Sequence, residues 1–435
     1  MVHAKRVRLT ELPDFRFRQF VAASGATNLA DGIATVAWAW LASLLTRDPL
    51  LIALVPVALR LPWFLFAIPA GIVTDRTDRR VVILRMDMLR GAMFLIAGVA
   101  IWQALPLAEA PGKGTSDPLL YWMLLSAALV VGAAEVFRDN AAQTLVPSIV
   151  DHAHLERANG RLWSVEMVGN MLAGPALGAF LIAWWLPLPM FTNALAYLVA
   201  LALVVRLTGA FRPQMQRERD WRAEIREGFD FLRTAPLLRS LAWITGFWNL
   251  FFQMIAIALV LHVQENFGLG ARAYGLILAS GAVGGIIAGW TGDRVVRRLG
   301  QMRAAQWTLL ASPIAFVALA FAPGAVALGV TLALFQFTGV VWNTVSVSYR
   351  QRTIPDALLG RVNSLYRLMA WGMMPVGLVL SGLAVRLSEL VMDREVALLM
   401  PFLIAALGAF VLTAFGWRAL ARGFADGASR AAQGG

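Results

Sequence analysis

The sequence contains no cysteine. That excludes a disulfide framework, a thiol nucleophile and a thiolate metal site. Lysine is almost missing: Lys5 and Lys113 stand alone among 38 basic residues. Neither follows a G-x-x-x-x-G stretch, so the phosphate-binding loop of an ATP-driven pump is lacking. Histidines number four. His152-x-His154 is a loop pair with no third ligand, and no H-E-x-x-H occurs, so a metal centre or a membrane-embedded metalloenzyme finds no support. Charge is scarce too, at 15% of 435 residues, against roughly 25% in a soluble domain.

What is abundant is apolar. Hydrophobic residues make up 59% of the chain, and the mean hydropathy is +0.66. So little polar surface cannot cover a water-soluble fold, and long apolar runs recur to the end; the chain reads as a polytopic membrane protein. A spanning helix needs about 20 residues to cross roughly 30 Å of hydrocarbon. Twelve such runs are read, at 18–45, 50–73, 82–105, 119–146, 161–186, 188–207, 240–264, 272–294, 303–322, 325–349, 362–386 and 396–418. All are expected to be helices, because an open strand in lipid leaves backbone groups unpaired.

The net charge of +12 would suit nucleic acid, but the arginines cluster at the ends of apolar runs, which fits topology and not a phosphate-binding face. With the N-terminus inside, 32 of the 38 basic residues fall in inner segments, among them the arginines from Arg76 to Arg90 and Arg138. Six fall outside: Arg47, Arg60, Lys113, Arg272, Arg386 and Arg394. The positive-inside rule then puts both termini in the cytoplasm of a multi-pass cell (inner) membrane protein. The arginine-rich start runs straight into a span too long for a leader peptide, so no cleaved leader is expected.

The longest inner connection, 208–239, is polar, and within it Trp221, Ile225, Phe229 and Leu232 share one helical face. It reads as an amphipathic helix on the inner membrane surface. It divides the chain into residues 1–207, a linker at 208–239, and residues 240–435.

A dense charged knot, "GIVTDRTDRR", runs from Gly71 to Arg80, and "GWTGDRVVRR" from Gly289 to Arg298 repeats it. Gly71, Asp75, Arg76, Arg79 and Arg80 map onto Gly289, Asp293, Arg294, Arg297 and Arg298, each at an offset of 218 residues. A looser echo pairs Arg157-x-Asn159 with Arg361-x-Asn363. The chain is therefore a repeat of two six-helix halves. Halves related by an axis along the membrane normal make a transporter architecture, with the substrate site between them near the midplane. In the knot, Asp75 and Asp78 can meet a helix N-terminus, Gly71 can admit a close neighbour, and the arginines can anchor to anionic lipid. Plain anchoring explains the arginines but not an aspartate at the same register twice.

At these residues the chain resembles the major facilitator superfamily, over essentially its whole length. "GPALG" on span five, with Gly174, Pro175 and Gly178, is similar to the antiporter motif of proton-coupled drug exporters. Asp31, "IPAGIVTDRTDRR" and "RANG" together resemble the branch of enterobactin exporters and macrolide efflux pumps. Asp78 departs from the loop motif, which usually has Gly there, and Asn170 and Ala179 replace two antiporter-motif glycines. The resemblance implies an all-α fold of twelve transmembrane helices in two six-helix bundles related by pseudo-two-fold symmetry. It also implies a cavity lined by spans one, four, seven and ten, and an acid low on span four that meets the loop arginines.

Ionisable groups inside a membrane are costly and therefore candidates for function. By helical rise, Asp31 lies roughly 20 Å beyond Arg18 and Arg60 roughly 17 Å past Pro49. Both reach the midplane on neighbouring helices, so an Asp31–Arg60 ion pair is expected, either as a proton switch or as a fixed pair orienting the two spans. Glu135, Arg138 and Asp139 share a face of span four. Arg138 and Asp139 are read as gate parts, with Gly71, Asp75, Arg76, Arg79, Asp293, Arg294 and Arg297, and Glu135 as a second proton carrier; an internal i, i+3 ion pair is the alternative. The cavity polar residues are expected to be Asn28, Asn249, Gln253, Gln336 and Asn343, with Trp38, Trp248 and Trp342 as walls or core packing.

These readings predict a secondary active transporter and not an enzyme: a monomeric exporter of an amphipathic small molecule, embedded among membrane lipids. Its driving force is expected to be a proton gradient, with no cofactor and no nucleic acid. A lipid or lysophospholipid flippase is the alternative.

Overall fold

The computed structural model describes residues 15–151, 154–209, 211–212 and 221–433. Lys5, Arg6, Arg8 and His152 lie outside the described residues, as do the side chains of Asp75, Arg157, Trp221, Ile225 and Arg361. Among the described residues every regular element is a helix.

Aspartates start the early helices. Asp48 accepts from Leu50 N at 3.1 Å, Asp78 from Arg80 N at 2.9 Å, and Asp117 from Leu120 N at 3.0 Å. Each supplies an acceptor to an N–H that the helix leaves free. They open α2 (Pro49–Arg76), α3 (Arg79–Gln103) and α4 (Pro118–Leu145). Before them comes α1 (Phe15–Leu45). After them α5 (Leu155–Glu166) passes through a π-helical turn, Met167–Ala173, into α6 (Gly174–Trp184), and α7 (Leu188–Val205) closes the first half. The linker between the halves carries α8 (Trp221–Thr234). The second half runs α9 (Pro236–Leu261), α10 (Ala271–Leu299), α11 (Gln301–Ala320), α12 (Ala325–Thr353), α13 (Asp356–Trp371), α14 (Met374–Ser388), a short α15 (Arg394–Ala397) and α16 (Met400–Gln433).

Among the described residues eleven helical stretches, some of them joining consecutive helices, are long and apolar enough to cross a membrane. The twelfth predicted span is α3. It has the length, 25 residues, but its first half carries Arg85, Asp87 and Arg90. The linker helix α8 forms as expected and packs on α13 and α9, with Leu232 buried and Phe229 exposed.

Packing repeats with the sequence. In the first half α4 packs on α2 and α3, α7 on α1 and α3, and α6 on α1; in the second α12 packs on α10 and α11, α16 on α9 and α11, and α14 on α9. The halves meet through α2 on α14 and α6 on α10, which are each other's counterparts. Where the helices cross, small residues admit backbone. A Cβ at Gly132 of α4 would lie 2.9 Å from Leu59 Cα of α2, and one at Gly284 of α10 would lie 2.8 Å from Ala333 Cα of α12. In lipid, where apolar association is weak, such close approach drives helix pairing. Trp102, Trp122, Trp184, Trp290 and Trp307 stand exposed on the outside, as side chains facing lipid do.

Candidate functional site

The first half encloses a network of charges. Arg90 of α3 is its hub and is 1% exposed. Its Nη2 donates to Asp31 Oδ1 of α1 and lies 3.7 Å from Glu135 Oε2 of α4. The guanidinium also sits over the Tyr197 ring of α7, 4.6 Å from its centroid, and the Tyr197 hydroxyl donates to Asp31 at 2.7 Å. One turn along α4, Arg138 donates to Thr27 Oγ1 at 3.0 Å and lies 3.5 Å from Asp87 and 3.4 Å from Asp139. Asp87 is fully buried, and neither of its oxygens has a hydrogen-bond partner. Asp31, Glu135 and Asp139 keep 23%, 22% and 32% of their side chains accessible. Four helices thus converge on four carboxyl groups and two guanidiniums.

This arrangement corrects the expected Asp31–Arg60 pair. Arg60 points off α2 and is exposed, and it makes no ion pair among the described residues. Arg90, counted with the inner-loop arginines, fills the role instead. Helical rise fixes depth but not which way round the helix a side chain points. Asp87 and Arg90, three residues apart and inside an expected span, were the available signal for the missed half of the network.

The two knots also differ from expectation. In the first, Asp78 ends the turn by capping α3, so the residue that departs from the loop motif has a defined task. Arg79 donates to Thr144 O at 2.8 Å and Arg80 to Val204 O at 3.1 Å, so each caps the free carbonyls of a helix C-terminus, α4 and α7. Asp139 therefore meets Arg138 and not the loop, Arg80 is bonded to the end of α7, and Arg76 is exposed. A Cβ at Gly71 or Gly289 would meet nothing within 4 Å, so neither glycine admits a neighbour in this conformation. The second knot is not a loop. Val296 stands at the register of Asp78, no cap forms, and α10 continues to Leu299, where Gly300 at φ +78° stops it. Asp293 and Arg297 form an exposed i, i+4 pair at 3.9 Å, and Arg294 reaches back to Trp290 O at 3.4 Å.

"GPALG" is a packing device. A Cβ at Gly174 would lie 2.5 Å from Gly32 Cα of α1, and one at Gly178 would lie 2.8 Å from Ile33 O. Pro175 closely follows the π-turn, inside a helix that runs on unbroken from α5. Asn170, which replaces a glycine, donates to Asn28 Oδ1 at 2.9 Å, tying the π-turn to α1. Ala179 is buried against Gly275 of α10.

A family model for transmembrane secretion effectors of the major facilitator type matches residues 9–421. The chain belongs to the major facilitator superfamily. Among curated relatives it is 27% identical over 381 residues to the multidrug efflux pump Tap of Mycolicibacterium fortuitum, covering 82% of this chain and 86% of that one. It is 25% identical over 304 residues to the enterobactin exporter EntS of Escherichia coli O1:K1 / APEC, covering 68% and 67%. A solved bacterial homologue of the iron transporter ferroportin, inward-facing, shares the fold at a TM-score of 0.66 and 18% identity, covering 92% of this chain and 97% of that one. The chain is a multi-pass membrane transporter of small molecules, and not an enzyme.

For a major facilitator protein the halves are unequal in polarity. The offset that aligns the knots carries Asp31, Asp87 and Arg90 onto Asn249, Ala305 and Thr308. Asn249 is buried and donates to Ala370 O at 2.8 Å, which makes it a structural tie and not the expected cavity residue. Gln253 and Gln336 are half-buried and Asn343 is exposed. Trp38 is buried against Phe94, Trp342 donates to Thr245 at 3.1 Å, and Trp248 stacks on Phe335 and donates to Ser312 at 2.8 Å. All three pack the core.

At the end of the molecule opposite the first knot, polar contacts join the halves. Arg394 holds Glu265 through two bonds, at 2.5 and 3.0 Å, and donates to Arg47 O at 2.7 Å. Arg47 donates to Gln264 at 2.6 Å and lies 3.6 Å from Glu265. Gln264 donates to Ser43 at 2.7 Å, and Arg386 lies 4.0 Å from Asp48. Three of the six predicted outer basic residues, Arg47, Arg386 and Arg394, thus form this latch. No short sequence motif marks it, because its partners lie hundreds of residues apart.

Proposed function

We propose that this transporter is a proton-coupled exporter of amphipathic small molecules such as drugs, macrolides or siderophores. It works by alternating access in the cell (inner) membrane, with both termini cytoplasmic. The observation that carries this reading is the unequal count of charges: Asp31, Asp87, Glu135 and Asp139 against Arg90 and Arg138. With every group ionised the network holds two negative charges in excess, and net charge inside a helix bundle is costly. Taking up protons from one side and releasing them to the other relieves that cost, and three of the carboxyls are partly open to do so.

Protons and substrate need only bind the inward-open and outward-open states unequally to drive the cycle. The latch supports an inward-open form here: it closes the end that the arginine distribution assigns to the outside. The driving force is the proton gradient, with no resident cofactor. The efflux names of Tap and EntS support the direction of transport.

Inverted vesicles offered a panel of dyes, macrolides and siderophores in the outer medium test the proposal. An imposed gradient, acid inside, should drive accumulation, and a protonophore should abolish it. Asp31→Asn and Glu135→Gln should each lose concentrative uptake while retaining substrate binding, since the amide keeps the volume but carries no proton. Full gradient-driven transport by the Asp31→Asn/Glu135→Gln double variant would overturn the proposal.

A further inference from the structure

A cavity of about 640 Å³ opens on the outer flank of the first half, away from the charge network. It falls within the size range of small-molecule sites. Its floor and walls are apolar: Val81, Val82, Met86 and Leu89 on α3, with Val130, Ala133 and Phe137 among those on α4 and Val73 on α2. Val73, Val81 and Leu89 are exposed, so the groove opens sideways, toward lipid. At its mouth stand Arg85 and Arg212. Both are exposed, and neither makes an ion pair among the described residues. Arg212 is held in place by its neighbour. Phe211 is buried, and its carbonyl accepts from Arg79 N at 3.3 Å. Asp78, also at the mouth, turns its Oδ1 to the start of α3, accepting from Arg80 N and Val81 N at 2.9 and 3.3 Å. The other arginines of this knot that touch helix ends, Arg79 and Arg80, are likewise engaged.

We infer that this groove is a binding site for one anionic diacyl phospholipid of the inner leaflet. Its phosphate lies between Arg85 and Arg212, and an acyl chain runs along the α3–α4 wall. The two free guanidiniums supply charge complementarity to a phosphate, which arginine recognises well. The apolar groove running away from them supplies the complement to a hydrocarbon chain. The groove sits at the arginine-dense end, where the positive-inside rule puts the anionic leaflet. A soluble anion would use the arginines and leave the groove empty; a phospholipid uses both. The lipid would pack on the outer faces of α3 and α4, whose inner faces carry Asp87, Arg90, Glu135 and Arg138.

Native mass spectrometry of the purified full-length chain tests this, with phosphatidylglycerol or phosphatidylcholine added in equal amounts. One phosphatidylglycerol should be retained, with an affinity about tenfold above that of phosphatidylcholine. Arg85→Gln/Arg212→Gln should remove the preference. Arg418→Gln/Arg422→Gln, equal in charge and placed on α16 at the same end, should leave it intact. Ala133→Trp, which fills the groove floor, should abolish retention although both arginines remain. Thermal melting of each variant establishes that it is folded. Equal loss in the two double variants would mean diffuse attraction of anionic headgroups and would overturn the site. So would displacement of phosphatidylglycerol by inorganic phosphate alone, or retention that neither the arginine pair nor the tryptophan changes.

Discussion

Arg90 is the residue on which the charge network turns. It touches Asp31, faces Glu135 and lies over Tyr197, all in the interior of the first half. Removing it strands acids in a low-dielectric site. Arg90→Ala should therefore cost about 3–5 kcal/mol, the usual result of breaking a buried pair from one side. Arg60→Ala, at an exposed position, should change the melting temperature little. Asp31→Leu/Arg90→Leu should recover much of the stability lost in Arg90→Ala but none of the transport. A double-mutant cycle on detergent melting, run beside a transport assay, reads both. Additive stability effects for Asp31 and Arg90 would contradict the pairing.

At the level of helices, the residue at one register accounts for the different shapes of the two knots. Asp78 caps α3 and makes a turn; Val296 at the matching register lets α10 run on. Asp78→Ala should cost about 1 kcal/mol, the ordinary worth of an N-cap. Asp293→Ala should leave the melting temperature unchanged, because its pair with Arg297 is solvent-exposed. The crossing of α1 and α6 is less forgiving. Gly174→Val would push a side chain into the α1 backbone at Gly32, and overpacking there should cost about 3 kcal/mol. Thermal melting of the three variants in detergent checks this order. The small residues of "GPALG" are plain in the sequence, and they already imply that another helix comes close. Which helix comes close is not plain, since Gly32 lies 142 residues away.

For the whole molecule, the latch closes one end, the outer one in the orientation proposed above. Arg394 supplies charge-assisted bonds to Glu265 and one to the Arg47 carbonyl across the halves. Bonds of this kind are worth about 1.5–3 kcal/mol each. Losing the one that crosses should shift a balanced two-state equilibrium about tenfold or more toward the outward-open form. The absence of cysteine makes this measurable without background. Leu50, whose backbone faces Gly382 across the halves, can be replaced as Leu50→Cys and labelled with an impermeant maleimide from outside. Labelling should speed up about tenfold when Arg394→Ala is added. An unchanged rate would mean that the contact is not a gate.

Composition and periodicity by themselves determined the class and the repeat: an all-helical membrane protein in two related halves, its span limits read to within a few residues at most ends. Those properties are local. Apolar run length sets a helix, and aspartate and glycine set its ends. The charged residues Asp31, Glu135 and Arg138 were legible as unusual, because a charge in an apolar run is visible in one dimension. Their partners were not. Whether Asp31 meets Arg60 or Arg90 depends on how α1, α2 and α3 are rotated about their axes. That rotation is settled by packing at glycines and small residues contributed by distant segments. The latch at Arg47, Glu265 and Arg394 and the groove at Arg85 and Arg212 have the same origin. Tertiary structure alone decided them, because ion pairs and clefts form between side chains that only the folded bundle brings together.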